Sequence, residues 1–250
     1  MNGGGLRDNV APFFSFEVHC VTCCARYCAA ESKFDAKVAE ADLRRYQRSG
    51  PDISTQILLA ELRRWPLQGL HLLDVGSGIG VISLELVGAG LAGVTLADAS
   101  PAYLEVAQRQ VGSRYAPHPA QFILGDFAVT SGALPDADVV TLDRVVCCYP
   151  NAEALLHGAA ARARRLVAFT YHPDRWYLRA MVALENFLYR MRGNAFRAFV
   201  HPPQRMAAVL ESAGFVRAVR RGTLLWALDL YHRPNAAQIP FESASAICSL

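Results

Sequence analysis

Residues 72–80, Leu-Leu-Asp-Val-Gly-Ser-Gly-Ile-Gly, decide the fold. The apolar run at their start is typical of a buried parallel strand, and a helical pattern of apolar residues follows from Gly80 to Val87. The glycines in between allow the backbone to turn and to approach a ligand closely. A strand, a glycine turn and a helix in this order place backbone N–H groups and a helix N-terminus beside a bound molecule.

The same alternation of short apolar strands and helices continues along the chain. The helices follow a glycine turn, a Ser-Pro start or a Pro-Asn start. The predicted strands are Leu70–Val75, Gly93–Ala97, Gln121–Leu124, Ala137–Leu142 and Arg165–Thr170, and the predicted helices are Gly80–Val87, Pro101–Val111 and Ala152–Ala163. This order predicts a doubly wound α/β sheet with helices on both faces.

The flanking segments divide the chain further. We expect a Cys-rich N-terminal arm over residues 1–30, a helical lid over 31–66 and the α/β domain over 67–233, with an acceptor-side helical insertion at about 174–200. A flexible tail is expected over 234–250. After the fifth strand, the pattern predicts helices at Asp174–Arg192 and Pro202–Ala213 and a hairpin formed by Phe215–Arg220 and Thr223–Tyr231.

Composition argues against several classes of function. The net charge of +3 is small and the basic residues are spread along the 250-residue chain, so nucleic acid is not indicated as a partner. Lysine occurs only at Lys33 and Lys37, which removes lysine-dependent phosphate loops and Schiff bases from most of the chain. The longest apolar run, Leu86–Ala97, is too short to span a bilayer, and no secretory signal is visible. We expect a cytoplasmic protein without a membrane span.

The glycine turn does not fit the dinucleotide fingerprint G-x-G-x-x-G. Counted from Gly76 the third position is Val81, and counted from Gly78 it is Ser83. The spacing G-x-G-x-G after an acidic residue, Asp74, instead resembles motif I of the class I S-adenosylmethionine-dependent methyltransferases. The resemblance extends over roughly residues 70–231, because further family landmarks follow in the same order.

This resemblance implies S-adenosylmethionine as methyl donor, S-adenosylhomocysteine as product, and a reaction that requires no metal. Asp98, 20 residues after Gly78, would bind the ribose hydroxyls; Asp126 would bind the adenine amino group, with Phe127 packed on the ring. The full set assigned to the cofactor is Asp74, Gly76, Gly78, Gly80, Asp98, Ala99, Asp126, Phe127, Asp143 and Arg144. The family's fold is a Rossmann-like seven-stranded sheet of order 3-2-1-4-5-7-6, with strand 7 antiparallel.

Methyl transfer from a sulfonium is an in-line displacement that depends mainly on positioning of the acceptor. We expect a methyltransferase that acts on a hydroxyl or carboxyl oxygen of a small apolar or aromatic molecule. An acceptor that loses a proton needs a general base, and the candidates are Tyr46, Cys148, Tyr149 and His172. The segments around Tyr46 and Tyr149 resemble the magnesium-protoporphyrin O-methyltransferase branch, with Cys148 where that branch has a histidine.

Aromatic and methionine side chains are concentrated between Asp174 and Val200. They are Trp176, Tyr177, Met181, Phe187, Tyr189, Met191, Phe196 and Phe199. One interpretation is an apolar acceptor pocket, and the other is simply core or a dimer face. The chain is accordingly expected to be a monomer or a homodimer.

Four of the seven cysteines, Cys20, Cys23, Cys24 and Cys28, lie in the N-terminal arm. They supply enough soft ligands for zinc or an iron–sulfur centre, although their spacing matches no standard set. Alternatively, the arm could act with Cys147 or Cys148 on a thiophilic acceptor, a thiol or a metalloid. A third hypothesis is a non-catalytic scaffold that binds S-adenosylmethionine.

Overall fold

The structure is a computed structural model that describes residues 34–112, 114–115 and 120–234. The Cys-rich arm, with the metal site considered at Cys20, Cys23, Cys24 and Cys28, lies outside the described residues. So does all of the predicted tail except Pro234.

Seven strands form one sheet in the order β3-β2-β1-β4-β5-β7-β6. Their bounds are β1 His71–Val75, β2 Gly93–Asp98, β3 Gln121–Leu124, β4 Ala137–Leu142, β5 Ala163–Tyr171, β6 Val216–Gly222 and β7 Ala227–His232. Strands β1 to β5 are parallel, whereas β7 is antiparallel to both β5 and β6. The predicted fold class, strand order and direction of strand 7 are therefore confirmed.

Eight α-helices flank the sheet within the described residues. They are α1 Ala36–Ser49, α2 Ile53–Leu62, α3 Val81–Glu85, α4 Pro101–Val111, α5 Phe127–Thr130, α6 Ala152–Arg162, α7 Trp176–Met191 and α8 Pro203–Ser212. Side chains of Asp35, Ser100 and Asn151 accept hydrogen bonds from backbone N–H groups in the first turns of α1, α4 and α6. None of the described helices is both long and apolar enough to cross a membrane.

The core lies on both faces of the sheet. One layer packs α6 and α8 against it through residues such as Leu155 and Leu210, and the other packs α2 and α4 through Leu58 and Leu104. Burial of both faces explains why the central strands are continuous apolar runs. The polar carboxyl ends of β1 to β5 are thereby left as one edge where a ligand can bind.

Two local predictions differ from the structure. The predicted helix Gly80–Val87 is shorter, because Leu86 leaves the helical conformation and a 3₁₀ turn, Val87–Ala89, leads to Gly90 in the left-handed region. The hairpin turns later than Arg221-Gly222. Its loop is residues 223–226, where the Thr223 hydroxyl accepts hydrogen bonds from the backbone N–H groups of Leu225 and Trp226.

Candidate active site

The glycine loop between β1 and α3 has two kinds of glycine. Gly76 has φ +62°, and a Cβ built there would lie 2.3 Å from Val145 Cγ2, so only glycine fits without displacing its neighbour. Gly80, with φ +83°, faces the core instead, where a Cβ would lie 2.7 Å from Val111 Cγ2. Gly76 therefore keeps the loop close to the segment after β4, while Gly80 lets α3 approach α4.

Asp98 ends β2 with its carboxylate held by the backbone. Oδ2 accepts a hydrogen bond from the Gly78 N–H at 2.8 Å, and Oδ1 accepts one from the Ser100 N–H at 2.8 Å. Burial raises the pKa of this carboxyl, and the backbone N–H groups act against that rise. Each oxygen retains further acceptor capacity, so the carboxylate can bind two neighbouring hydroxyl groups.

Asp74 is a buried carboxyl at the end of β1, with 1% of its surface exposed. Its Oδ1 accepts a hydrogen bond from the Thr141 hydroxyl of β4 at 2.7 Å, and its Oδ2 has no hydrogen-bond partner among the described residues. Burial, with smaller contributions from Asp143 and Asp98, raises its pKa to about 8. The Ser77 hydroxyl is likewise buried without a described partner.

Asp126 follows β3 and caps α5. Its Oδ1 accepts hydrogen bonds from the Ala128 N–H at 3.0 Å and from the Tyr149 hydroxyl at 2.7 Å. Tyr149 therefore positions the carboxylate of Asp126, and its own pKa is raised by burial and by that carboxylate. Phe127 is only 3% exposed and belongs to the core beneath α6. Its ring is thus covered by the protein, which argues against the expected packing on adenine.

Asp143 and Arg144 connect the end of β4 to the lid. The Asp143 carboxylate accepts hydrogen bonds from the Thr170 and Thr55 hydroxyls, each at 2.5 Å. Arg144 has φ +60°, and its Nη1 donates to Asp52 Oδ2 at 2.5 Å. Positive φ is strained for arginine and is seen mainly where surrounding contacts impose it.

A cleft of about 530 Å³, including its open mouth, lies between the lid and the glycine loop. Its lining includes Asp74, Gly76, Gly78, Asp143 and Arg144 from the predicted cofactor set. It also includes Asp42, Arg45, Tyr46, Asp52, Thr55 and Tyr103 from the lid and α4. The structure therefore brings five of the ten predicted cofactor residues together at one cleft beneath the predicted helical lid. Its lining does not include Gly80, Asp98, Ala99, Asp126 or Phe127.

Tyr46 is the one base candidate among the described residues that lines this cleft. Its hydroxyl donates to Glu85 Oε1 at 3.0 Å. Burial and the Glu85 carboxylate raise its pKa to about 12. At neutral pH the phenol is therefore protonated, which suits a hydrogen-bond donor better than a base.

The other base candidates lie elsewhere. The Cys147 and Cys148 thiols both donate to the Arg144 carbonyl at 3.4 Å, and the neighbouring thiol and burial raise the pKa of Cys147. The His172 ring stacks on Trp226, and its Nδ1 lies 2.9 Å from the Leu225 carbonyl oxygen. His172 thus secures the hairpin loop and does not line the cleft.

The aromatic set between Asp174 and Val200 contributes nothing to the lining of this cleft. Tyr189 and Phe196 pack edge to face, at 5.8 Å between ring centroids, and Phe196 packs on Phe34 at 5.6 Å. Trp176 and Phe187 face outward on α7, 81% and 57% exposed. The acceptor-pocket interpretation is therefore not supported, because these side chains form a small core or a solvent-exposed face.

Sequence reasoning missed the polar side chains that join α1 and α2 to the sheet edge and to α4. Asp52 precedes α2, but its carboxylate leaves the helix N-terminus uncapped and instead binds Arg144 and Arg45. Asp42 accepts a hydrogen bond from the Tyr103 hydroxyl at 2.5 Å. The only signal for these contacts in the sequence was the number of charged residues in the segment DLRRYQRSGPD, because the partners of Asp42 and Asp52 in the sheet and in α4 lie far away in sequence.

The sheet order and the glycine loop define the class I methyltransferase fold. Residues 72–168 match the model of a family described as a methyltransferase domain. The resemblance inferred from residues 72–80 is thereby confirmed.

Solved structures with this fold include magnesium protoporphyrin IX methyltransferase from Synechocystis PCC 6803 with bound S-adenosylhomocysteine. It is 20% identical, with a TM-score of 0.63, and the match covers 82% of this chain and 99% of that one. An O-methyltransferase family protein from Burkholderia thailandensis matches at 17% identity and a TM-score of 0.63, over 82% and 62% of the two chains.

Human N-acetylserotonin methyltransferase in complex with S-adenosylmethionine matches at 18% identity and a TM-score of 0.56, over 81% and 56% of the chains. At these identities the likeness establishes the fold. No curated protein sequence matches the chain.

Proposed function

We propose that this protein is an enzyme that transfers the methyl group of S-adenosylmethionine to a hydroxyl or carboxyl oxygen of a small-molecule acceptor. The observation that carries the proposal is the pair of carboxyls on either side of the glycine loop. Asp98 is held by the Gly78 N–H, and Asp74, at the end of the neighbouring strand, has a buried oxygen without a hydrogen-bond partner in the described part of the chain.

These residues fit S-adenosylmethionine chemically. The Asp98 carboxylate would accept hydrogen bonds from both ribose hydroxyls, and Asp126, held by Tyr149, would accept one from the adenine amino group. Asp74 Oδ2, which has no hydrogen-bond partner among the described residues, would suit the cationic methionine end of the molecule. When bound, S-adenosylmethionine supplies a methyl group activated by its sulfonium.

The chain's own contribution to the reaction would be positioning and exclusion of water. Asp52, with Arg144 and Arg45, and Thr55, with Asp143, hold the lid against the sheet edge. Enclosure strengthens electrostatic interactions inside the cleft and orients the acceptor toward the methyl group. The Tyr46 hydroxyl lines the cleft, but its proton is already donated to Glu85, so its role there would be to accept a hydrogen bond or to shape the wall.

Oxygen is proposed as the methylated atom on two grounds. Structures with the same fold include a magnesium protoporphyrin IX methyltransferase and O-methyltransferase family proteins. In addition, a carboxylate acceptor is already ionised at neutral pH and needs no base, which suits a cleft whose tyrosines Tyr46 and Tyr103 have raised pKa values. A thiophilic acceptor gains no support from Cys147 and Cys148, since both thiols donate to the Arg144 carbonyl.

The test combines binding with turnover. Purified protein is titrated calorimetrically with S-adenosylhomocysteine, and methyl-labelled S-adenosylmethionine is then supplied with a panel of carboxylic acids, phenols, thiols and amines. Binding together with label transfer to an oxygen acceptor is the expected result. Binding without transfer to any acceptor would favour the non-catalytic scaffold, and a folded protein that binds neither compound would overturn the proposal.

A further inference from the structure

Helix α7 presents a broad apolar face to solvent. Its buried side contacts the protein through Leu178 and Val182, which are 0% and 5% exposed. The outward apolar side chains are Trp176 (81% exposed), Met181 (40%), Leu184 (60%), Phe187 (57%), Leu188 (44%) and Met191 (70%). A contiguous exposed patch of this kind on a soluble protein marks an interaction surface.

The β6–β7 hairpin loop extends this face. Leu224 and Leu225 are 71% and 47% exposed. The Tyr177 hydroxyl of α7 donates to the Leu224 carbonyl at 2.7 Å, which fixes the loop against the N-terminal turn of the helix. We call the six outward side chains of α7, together with Leu224 and Leu225, the apolar platform.

Arginines flank the platform. Residues 174–192 contain four arginines and two acids, which leaves an excess of positive charge. Asp174 is paired with Arg179, and Glu185 accepts a hydrogen bond from the Tyr189 hydroxyl. At about 100° per residue, Arg179 and Arg190 lie on one side of the apolar arc and Arg192 lies on the other. An apolar face that contains a tryptophan and is flanked by arginines is the pattern of a helix that lies in the plane of a membrane surface.

We propose that the apolar platform docks onto the surface of an anionic lipid bilayer, with α7 parallel to the membrane plane. The charge of the flanks favours this occupant over a second copy of the chain, because a two-fold contact would bring the same arginines together. With 16 residues, α7 is too short to span the hydrocarbon core. This docking does not depend on methyl transfer.

Docking would also place the bilayer near the candidate active site. On the inner side of α7, Val182 packs in one cluster with Phe196, from the segment after the helix, and with Cys148, from the segment that follows β4. If the proposed function holds, an apolar acceptor dissolved in the membrane would be near the β4 side of the sheet edge.

The test is flotation of the full chain with vesicles of phosphatidylcholine alone or mixed with phosphatidylglycerol. We expect binding to the anionic vesicles only, weakened by salt. Phe187→Ser/Met191→Ser should weaken it by at least about tenfold, because two exposed apolar anchors are lost. The matched control Val129→Ser/Val216→Ser changes two side chains outside the platform, 74% and 50% exposed, and should bind like the wild type.

Charge and insertion are tested separately. Arg190→Gln/Arg192→Gln should lose the preference for anionic vesicles, whereas Arg164→Gln/Arg205→Gln, which removes two exposed arginines outside α7, should keep it. Trp176 fluorescence should shift to the blue on binding, and Trp176→Phe should abolish that shift.

Failure of the wild type to float, or equal flotation of the Phe187→Ser/Met191→Ser variant, would overturn the proposal. A dimer in lipid-free solution that Phe187→Ser/Met191→Ser converts to a monomer would instead assign the platform to a second copy.

Discussion

The two halves of the sheet's carboxyl edge are built in different ways. Around β1 and β2, Asp98 is held by backbone N–H groups of Gly78 and Ser100, which are 20 and 2 residues away in sequence. Around β4 and β5, Asp143 is held by the hydroxyls of Thr170 and Thr55, which are 27 and 88 residues away. The first half is a property of one local motif, and the second depends on side chains brought together by the whole fold.

This difference teaches which part of the site tolerates change. Backbone donors remain when side chains are substituted, so one carboxylate and a few glycines are enough to build the β1–β2 half, which we propose binds the cofactor. A network of side-chain hydrogen bonds can be rebuilt in many ways, so the β4–β5 half can change while the fold is retained. Substitutions in the first half should therefore have the larger effects on cofactor binding.

The largest effect is expected from Asp98→Ala. The variant loses the acceptor for two hydroxyl groups and frees the Gly78 N–H, so affinity for S-adenosylhomocysteine should fall by about 100-fold or more. Calorimetric titration measures this loss. Asp136→Ala is the matched control, since its carboxylate pairs with Arg162 and Arg164 away from the cleft. If Asp98→Ala binds S-adenosylhomocysteine as tightly as the wild type does, Asp98 is not part of the binding site.

Gly76→Ala should have the next largest effect, on stability. A Cβ 2.3 Å from Val145 Cγ2, combined with φ +62°, should lower the free energy of unfolding by about 2–3 kcal/mol. Gly193→Ala is the control, because φ there is +70° but no described atom lies within 4 Å of the new Cβ, so only backbone strain of about 1 kcal/mol remains. Denaturant unfolding compares the two variants. Adding Val145→Ala to Gly76→Ala should recover part of the lost free energy of unfolding. If it does not, steric overlap with Val145 is not the cause of the loss.

The sequence predicted the parts of the site that are local in the chain. The glycine loop and the place of Asp98 at the end of β2 follow from short motifs whose spacing is fixed by one strand and one turn. The strand order followed from the family resemblance that these motifs carry. These motifs did not predict the directions of side chains that depend on tertiary packing. Tyr149 and Phe127 depend on how α6 packs, and that packing is set by residues remote in sequence.

The contacts of the lid helices α1 and α2 were also not predictable from the sequence. Helical periodicity located the helices that became α1 and α2, but nothing in that pattern pairs Asp52 with Arg144, 92 residues later. The aromatic set of α7 was ambiguous for a related reason: periodicity identifies an apolar face but not what covers it. Only the tertiary structure shows that Leu178 and Val182 face inward and Phe187 faces outward.

A smaller effect is expected from Asp74→Asn, as a change in pH dependence. Burial raises the Asp74 pKa from 3.8 to about 8, so the folded state binds this proton more tightly than the unfolded state. Wild-type free energy of unfolding should therefore fall as pH rises between about 4 and 8, and the variant should show a shallower slope. Denaturant unfolding across that pH range measures both slopes, with Asp136→Asn as the control expected to match the wild type.

The same linkage predicts proton release on binding. A cationic ligand beside Asp74 lowers the carboxyl pKa, so S-adenosylmethionine should bind more tightly as pH rises toward 8, by up to about tenfold. Calorimetry in buffers of different ionisation enthalpy detects the released proton, and Asp74→Asn should release none. A wild type that releases no proton at pH 7 would show that the cation is bound elsewhere.

The smallest effect is expected from Tyr149→Phe, and it separates two roles for this residue. As a positioning residue, Tyr149 orients Asp126, so its loss should weaken S-adenosylhomocysteine binding about fivefold, raise the KM for S-adenosylmethionine and leave kcat nearly unchanged. As a general base, its loss would instead reduce kcat and remove a limb of the pH–rate profile. The raised pKa of the phenol favours the first outcome, because a protonated hydroxyl can donate to Asp126. Tyr115→Phe, which removes a buried hydrogen bond to the Ser83 carbonyl, controls for stability and should leave affinity unchanged.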